Sequence, residues 1–269
     1  MNTSSIRLFQ QLAYGWLALY MLSILFLGGS AWVCAPVDLF TTHDGVRGAL
    51  QEFVNARSPL TCSMTCAVLI GLAVLLIRTQ RWWLALLVWL LFRSITYRMW
   101  LASNGGIQLM ENMLLWSAFM GQGVHMIIRS TAFWIARFQL LLVYAVAAAH
   151  KFTGNSWLDG SAVLTVANDP SFHLGWLTTS PAVCALLTYC ALAFMALFPL
   201  AVWWSPARRA FLVSGVAFHL ATAIFMDIPQ MGLAFVACYA IWTNEQEAQS
   251  IRARLGALFV RRAPRTHVT

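Results

Sequence analysis

The stretch "TAFWIARFQLLLVYAVAAAH", residues 131–150, decides the class of fold. Arg137 is its only charged residue, and about 20 consecutive apolar residues are enough for a helix to cross a bilayer. The whole chain has the same character, because 60% of its residues are hydrophobic and 10% are charged. Such a chain cannot hide its apolar surface in one soluble core. The sequence therefore predicts an all-α, polytopic integral membrane helix bundle.

Apolar runs of similar length cover most of the remaining chain. Eight runs qualify as spans, at roughly 8–29, 60–77, 82–100, 107–128, 131–150, 182–204, 208–227 and 229–243. The first run is longer than the apolar region of a signal peptide, so we expect it to remain as a span. The predicted organisation is a transmembrane bundle over residues 1–243, followed by a basic tail over 244–269.

The distribution of arginine predicts the orientation, since cytoplasmic loops keep positive charge. With the amino terminus inside, the outside segments contain only Arg47, Arg57 and Lys151. The inside segments contain the other basic residues between the spans, which are Arg7, Arg78, Arg81, Arg129, Arg208 and Arg209, and those of the tail. Eight spans with both termini cytoplasmic follow, in the inner membrane of a bacterium. This asymmetry accounts for the basic surplus, so the bilayer is the expected partner and nucleic acid is not.

The tail pattern fits two structures. Four apolar residues recur at helical spacing and alternate with arginines: Ile251, Leu255, Leu258 and Phe259. An amphipathic helix lying on the anionic inner leaflet has this pattern. A solvated basic tail after the last span is the alternative.

Two long outer segments, at 30–59 and 151–181, show no obvious secondary structure in the sequence, and loops of that length are often functional. The second begins at Lys151, the only lysine of the chain. On a helix, Arg137, Tyr144 and Lys151 are seven residues apart and drift by about 20° per heptad, so they form one stripe. The stripe places Lys151 at the outer mouth of the bundle.

Lys151 supports two interpretations. Lys151 and His150 could simply extend toward the headgroups at a helix end. Alternatively, partial dehydration disfavours the charged form of the lysine, which makes the amine usable as a base. Arginine could not take that role.

Other ionisable residues inside the spans are functional candidates by default, because each is costly there. Glu111 lies near the outer end of the fourth run, and we expect it to pair with Arg93 or Arg98 of the third. Such a pair explains these residues as well as a substrate site does. His219, in the seventh run, is expected to bond to a neighbouring helix, and no metal-ligand spacing surrounds it.

Five of the six cysteines fall near the outer ends of runs, where an oxidising compartment permits disulfides. Cys62 and Cys66 would form a strained pair on one helix, so a bond from Cys34 to either is easier. A structural disulfide or buried free thiols is the interpretation that we prefer for these residues and for Cys184 and Cys190.

Three segments are similar in order and spacing to those of a known family: "LVYAVAAAHKFTGNSWLDGSAV", "NGGIQLMENMLLWSAF" and "RRAFLVSGVAFHLATAIFMDIPQMGLAFVACYAIW". They resemble the membrane domain of the vitamin K-dependent γ-carboxylase and the horizontally transferred transmembrane (HTTM) family. The resemblance spans about residues 90–243 and implies that Lys151 is the base toward a quinol, with Trp157 and Gly160 shaping the outer pocket. The chain departs from the family at Met195, near which many relatives carry a carboxylate. Its turn from Lys151 to Trp157 is also one residue longer.

The resemblance leaves the function open between two readings. The first is an enzyme of the lyase or oxidoreductase kind. It would use a quinone or quinol, which is the one cofactor that the resemblance implies. A smaller bacterial branch that resembles the chain at "VANDPSFHLGW" matures or exports antimicrobial peptides of the sporulation-delaying type, so a peptide substrate and accessory membrane proteins would be its partners. A small-solute transporter is a third class, since polar residues within spans also mark translocation paths. No nucleotide-binding motif or nucleophile triad is present in the sequence.

Overall fold

The computed structural model describes residues 3–27, 59–98 and 103–260. Within these ranges the chain is helical without strands, and its one β-type contact is an isolated bridge between Arg81 and Gln122. Five helices are long and apolar enough to cross a membrane. The all-helical class is thus confirmed for the described part of the chain. The count of eight spans and the side on which the termini lie stay predictions.

The helices are numbered here in chain order. They are α1 (Thr3–Phe26), α2 (Pro59–Thr79), α3 (Trp82–Arg98), α4 (Gly105–Phe119), α5 (Met126–Phe152), α6 (Asn155–Leu158), α7 (Ala162–Ala167), α8 (Pro181–Ala201), α9 (Ser205–Phe225), α10 (Pro229–Tyr239) and α11 (Glu245–Val260). Two 3₁₀ turns, Gly175–Leu177 and Ala240–Trp242, precede α8 and extend α10. The five long apolar helices are α1, α2, α5, α8 and α9, whereas α3 and α10 are shorter apolar helices.

The boundary between α4 and α5 differs from the sequence prediction. The run at 107–128 was expected to be one helix, but α4 ends at Phe119 and α5 already begins at Met126. The connection between them contains Gly123 at a φ of 89°, a left-handed conformation that turns the chain between the two helices. The ring of His125 then accepts the N–H of Ile127 and caps α5. The apolar runs on both sides of this short turn are averaged together in a hydropathy analysis, so the turn was missed.

The bundle has two ends that hydrogen bonds define. At the terminal end, Ser4 of α1 bonds to Glu245 of α11, and Arg252 donates to Gln11 at 3.1 Å. At the Lys151 end, the N–H of His173 donates to the carbonyl of Phe225 at 2.8 Å. Helix α5 connects the two ends, and its 27 residues correspond to a length of about 40 Å.

The prediction that segment 151–181 lacks secondary structure is wrong. After the last residues of α5 it folds into α6, α7 and a 3₁₀ turn, which pack on α8. Tyr189 donates to the carbonyl of Leu158, and Thr188 accepts the N–H of Val163, both at 3.0 Å. The segment has only short helices, so no long apolar period reveals it in the sequence. The other outer segment, 30–59, lies outside the described residues apart from its last position.

The tail forms a helix over Glu245–Val260, which agrees with the helical one of the two structures that the sequence left open. Leu255 packs against the main core, and Ala248 is fully buried. α11 therefore packs on the bundle instead of extending away from it, with α1 as its main neighbour. Contact of α11 with a lipid leaflet stays a prediction, and the arginines beyond residue 260 lie outside the described residues.

Candidate functional site

A cavity of about 360 Å³ lies beneath Lys151, and we call it the Lys151 cavity. Helices α5, α8, α9 and α10 and the α6–α7 segment form its walls. Most of the lining is aliphatic or aromatic, as with Val143, Met195 and Phe218. The site was predicted to lie between the fourth, fifth and seventh spans, and residues of the fifth and seventh do line this cavity. Only Gly105 comes from the fourth, while the sixth and eighth also line the cavity.

Lys151 is half-buried, and its Nζ lies 4.4 Å from the centre of the Trp157 ring. This is cation–π geometry. The short turn after α5 creates it, because Gly154 donates to the carbonyl of Lys151 and Trp157 donates back to the carbonyl of Gly154. Trp157 thereby returns over the last turn of α5. Among the described residues, no carboxylate forms an ion pair with Lys151.

A polar cluster lies deeper in the same region. Tyr144 lines the cavity, and its hydroxyl is 2.5 Å from Nε2 of His219 and also bonds to the hydroxyl of Tyr239. We call these three residues the Tyr–His cluster. His219 stacks on Phe235 with ring centroids 4.3 Å apart, and its Nδ1 has no partner among the described residues. His219 therefore bonds to a neighbouring helix, as the sequence analysis expected.

The cavity thus has two polar ends on one helix face. Tyr144 and Lys151 are seven residues apart on α5, which is about 10 Å along the helix axis. The wall between them is apolar and includes Ala147. Arg137, the third residue of the predicted stripe, does not line the cavity. It donates to the carbonyl of Ile241 at 3.0 Å, and its guanidinium lies over the Phe133 ring.

Tyr239 is a cluster residue that the sequence analysis did not identify. Two glycines make room for the cluster: a Cβ at Gly215 would lie 2.6 Å from Cζ of Tyr239, and one at Gly232 would lie 2.8 Å from the Cβ of Ala223. The signal was present in α10, where Gly232, Phe235 and Tyr239 recur at helical spacing and share a face. Its functional meaning depends on the packing of α10 against α9.

Two other predicted site residues lie outside the cavity wall. His150 is exposed, although it is adjacent to Lys151 in sequence. Gly160 is buried at a φ of 82°, and a Cβ there would lie 3.1 Å from the Tyr189 ring. It shapes the turn between α6 and α7. At that turn, hydrogen bonds from the hydroxyl and then the backbone N–H of Ser161 lower the pKa of Asp159, which stays ionised beside the mouth.

Glu111 and Arg93 form the predicted ion pair, with Nη1 and Oε1 2.5 Å apart. Glu111 also accepts a hydrogen bond of 2.7 Å from Thr96. The pair joins α3 to α4, and neither residue lines the Lys151 cavity. The side chain of Arg98, the alternative partner, lies outside the described residues. The structure therefore separates these candidates from the group formed by Lys151, Trp157, Tyr144 and His219.

The cysteines are partly described. Cys62 is disulfide-bonded, whereas Cys66, Cys184, Cys190 and Cys238 are free thiols. A bond between Cys62 and Cys66 is thereby excluded, as the strain argument expected. Cys34 lies outside the described residues. Within the described ranges, no three His, Cys, Asp or Glu side chains come together as a metal-ligand set.

A second apolar cavity adjoins the first. It measures about 440 Å³, lies between α8 and α9, and shares lining residues with the Lys151 cavity, among them Ala191, Phe218 and Thr222. Its rim includes Trp176, which is 63% exposed, and the exposed Cys190. The site beneath Lys151 thus continues sideways into a cleft on the apolar flank of the bundle.

No protein-family model, curated protein or solved structure matches this chain. The resemblance to the HTTM family therefore rests on the three quoted segments alone.

Proposed function

We propose that the chain is a membrane-embedded enzyme in which Lys151 acts as a base toward a flat, quinol-like ring held in the Lys151 cavity. One observation carries this proposal. The only lysine of the chain borders an apolar cavity, half-buried, with the face of Trp157 against its Nζ. A lysine that merely extended to the headgroups would need neither a cavity nor an aromatic partner.

The cavity supports a ring-shaped substrate. Its volume of about 360 Å³ is within the range of small-molecule sites, which are mostly apolar with a few placed polar groups. Oxygens on opposite sides of a quinol-like ring could face Lys151 at one end and Tyr144 at the other. A peptide would need more polar partners along its backbone than the described lining offers.

The chemistry is a single proton transfer. The neutral amine of Lys151 takes the proton of a ring hydroxyl, which leaves a phenolate on the substrate and an ammonium on the enzyme. The Trp157 face stabilises the ammonium as it forms. The hydrogen-bonded Tyr144 and His219 would orient the opposite ring oxygen. Arginine keeps its proton and could not perform this step.

The cleft between α8 and α9 supports access from the bilayer. A membrane-soluble substrate could pass between these helices without crossing water, because both cavities have apolar linings that share residues.

The proposed setting is a bacterial inner membrane, with eight spans and both termini cytoplasmic. The excess of arginine in the segments on the terminal side supports this orientation. Lys151 would then face the outer compartment.

The test begins with the molecule that the protein carries. Organic extraction of the purified protein, followed by mass spectrometry, should recover a quinone-like compound. Recovery of a peptide in its place would favour the alternative function in antimicrobial-peptide maturation or export. A bound small polar solute would favour transport.

The Lys151→Arg variant then tests the chemistry, with a short-chain naphthoquinol as the probe. We expect the variant to fold, to bind the probe within about tenfold of wild type, and to lose deprotonation of the bound probe, which is followed without oxygen by the absorption of the phenolate. His150→Gln is the matched control, because His150 is the exposed neighbour of Lys151, and it should retain both properties. Deprotonation of the bound probe by Lys151→Arg to the wild-type extent would end the base hypothesis.

A further inference from the structure

A polar pocket of about 260 Å³ lies at the terminal end of the bundle. Five segments meet there: the start of α1, the α2–α3 turn, the α4–α5 turn, the first turn of α5, and α11. The lining includes three arginines, Arg7, Arg129 and Arg252, with the amides of Gln80 and Gln122 and the hydroxyl of Ser4. We call it the arginine pocket. It contrasts with the apolar Lys151 cavity at the opposite end.

The positive charge of this pocket is not balanced by the described residues. No carboxylate is among its lining residues, and no described carboxylate forms an ion pair with any of the three arginines. Glu245 is nearby, but its oxygens accept hydrogen bonds from Ser4 and Gln249. Partial burial and then the charge of Arg7 lower the pKa of Arg252, with Glu245 offsetting part of the effect. The arginines are therefore crowded against each other.

The helix ends increase this imbalance. Arg129 is in the first turn of α5, and Arg7 is in the second turn of α1. The amino-terminal end of a helix carries a partial positive charge and is unfavourable for a cation. In addition, Nε of Arg129 is buried without a hydrogen-bond partner among the described residues. A buried charged N–H group without an acceptor is costly, and a ligand that accepts a hydrogen bond from it removes that cost.

We propose that the arginine pocket binds a phosphate-bearing anion. Guanidinium groups present paired N–H donors that match phosphate oxygens, and a phosphate would neutralise charge that the described residues leave unpaired. The amides of Gln80 and Gln122 supply further donors around the same space. The phosphate could belong to the headgroup of an anionic membrane lipid or to free phosphate, since both present the same oxygens.

The site has a structural consequence. Arg252 comes from α11, whereas Arg7 and Arg129 come from α1 and α5. A bound phosphate would link the tail helix to the bundle by contacts that all three helices share. Docking of α11 would then depend on the anion. This inference is independent of the role of Lys151, which lies at the other end of α5.

The experiment uses the full-length protein in a neutral detergent. Thermal unfolding, followed by tryptophan fluorescence, is measured during titration with dioleoyl phosphatidylglycerol and, in parallel, with dioleoyl phosphatidylcholine. A second arm titrates inorganic phosphate against chloride at equal ionic strength. Native mass spectrometry counts bound phosphatidylglycerol and gives a readout that does not depend on stability.

We expect phosphatidylglycerol to raise the melting temperature of wild type more than phosphatidylcholine does. Arg129→Gln and Arg252→Gln should each weaken this response by about tenfold or more, since each loses a charge-assisted contact. Arg78→Gln and Arg254→Gln are matched controls, because both arginines are exposed and outside the pocket, and they should titrate like wild type. Arg252→Lys keeps the charge but lacks the paired donors, so it should fold and show an intermediate affinity.

The two arms distinguish the source of the phosphate. A response to phosphatidylglycerol alone assigns the site to a lipid headgroup, and an equal response to inorganic phosphate assigns it to the free anion. The proposal is overturned if neither probe binds in preference to its control. It is also overturned if the two pocket variants retain as much phosphatidylglycerol in native mass spectra as wild type does.

Discussion

Replacement of Gly215 by alanine should break the Tyr–His cluster from a position that lies outside it. A Cβ at residue 215 would lie 2.6 Å from Cζ and 2.8 Å from Cε2 of Tyr239, and still closer to its hydroxyl. Contacts this short cannot persist, so the Tyr239 ring has to move. The ring is 3% exposed and packs against Phe198, so it has little room. Its hydrogen bond to Tyr144 should be lost.

The expected loss of stability follows from three effects. Overpacking of a filled core costs about 1–3 kcal/mol. A buried hydroxyl that loses its partner costs about 1–3 kcal/mol more. Alanine favours the helix over glycine by about 1 kcal/mol, which offsets part of the loss. A net loss of about 2–4 kcal/mol corresponds to a fall in melting temperature of about 5–10 °C for a chain of this size.

The assay is thermal unfolding of the purified protein in detergent, followed by tryptophan fluorescence. Gly71→Ala is the matched control, because it is also a helical glycine but a Cβ there would meet nothing within 4 Å. It should melt at or slightly above the wild-type temperature. Tyr239→Phe should cost less in the Gly215→Ala background than in wild type, since the hydrogen bond is already broken. An equal melting temperature for Gly215→Ala and Gly71→Ala would show that α9 does not pack closely on Tyr239.

Two further predictions concern the ion pair and the orientation. Arg93→Gln should lower stability by about 2 kcal/mol and Glu111→Gln by less than about 1 kcal/mol, because the Glu111 side chain is 13% exposed and cannot rehydrate as easily as that of Arg93, at 51%. The melting temperatures of the two variants show which one loses more stability. A larger loss for Glu111→Gln would mean that the Glu111 carboxylate is solvated. In a Cys190→Ser background, a membrane-impermeant maleimide should label Asp159→Cys in intact cells, but Arg254→Cys only after permeabilisation. The opposite labelling pattern would invert the proposed orientation.

The sequence predicted the features that local rules govern. Long apolar runs identified the five helices that are long and apolar enough to cross a membrane, because the requirement for about 20 apolar residues acts on one segment at a time. The pairing of Glu111 with Arg93 was also predictable, since both are costly in a span and lie at one level. The place of Trp157 near Lys151 was expected only from the resemblance to the HTTM family, although few residues separate the two. Helix bounds were wrong between Phe119 and Met126, because the prediction continued an apolar run through the turn that contains Gly121, Gln122 and Gly123.

The remaining features depend on how distant helices pack. Tyr144, His219 and Tyr239 are on three helices, and only the contact of α5, α9 and α10 makes them one cluster. The arginine pocket is similar, because the sequence analysis counted Arg7, Arg129 and Arg252 only as charges on one side. Hydropathy and charge counts do not predict that α11 lies close to α1 and α5. Gly215 and Gly232 indicate in the sequence that another helix packs closely at these positions. The residues that pack there cannot be identified from the sequence.

Helix α5 carries a different cation near each of its ends, and the chemistry of each cation fits its surroundings. Arg129 is near the start, among polar donors and two other arginines, where a permanent charge can hold an anion but cannot exchange a proton. Lys151 is near the end, beside an apolar cavity and an aromatic face, where the ammonium is only weakly compensated and the neutral amine is accessible. Exchanging the two residues should therefore abolish proton transfer at one end and weaken anion binding at the other, since Arg129→Lys loses the paired donors and Lys151→Arg loses the exchangeable proton. A single Arg129→Lys or Lys151→Arg change should affect only its own site, because about 33 Å of helix separates the two residues.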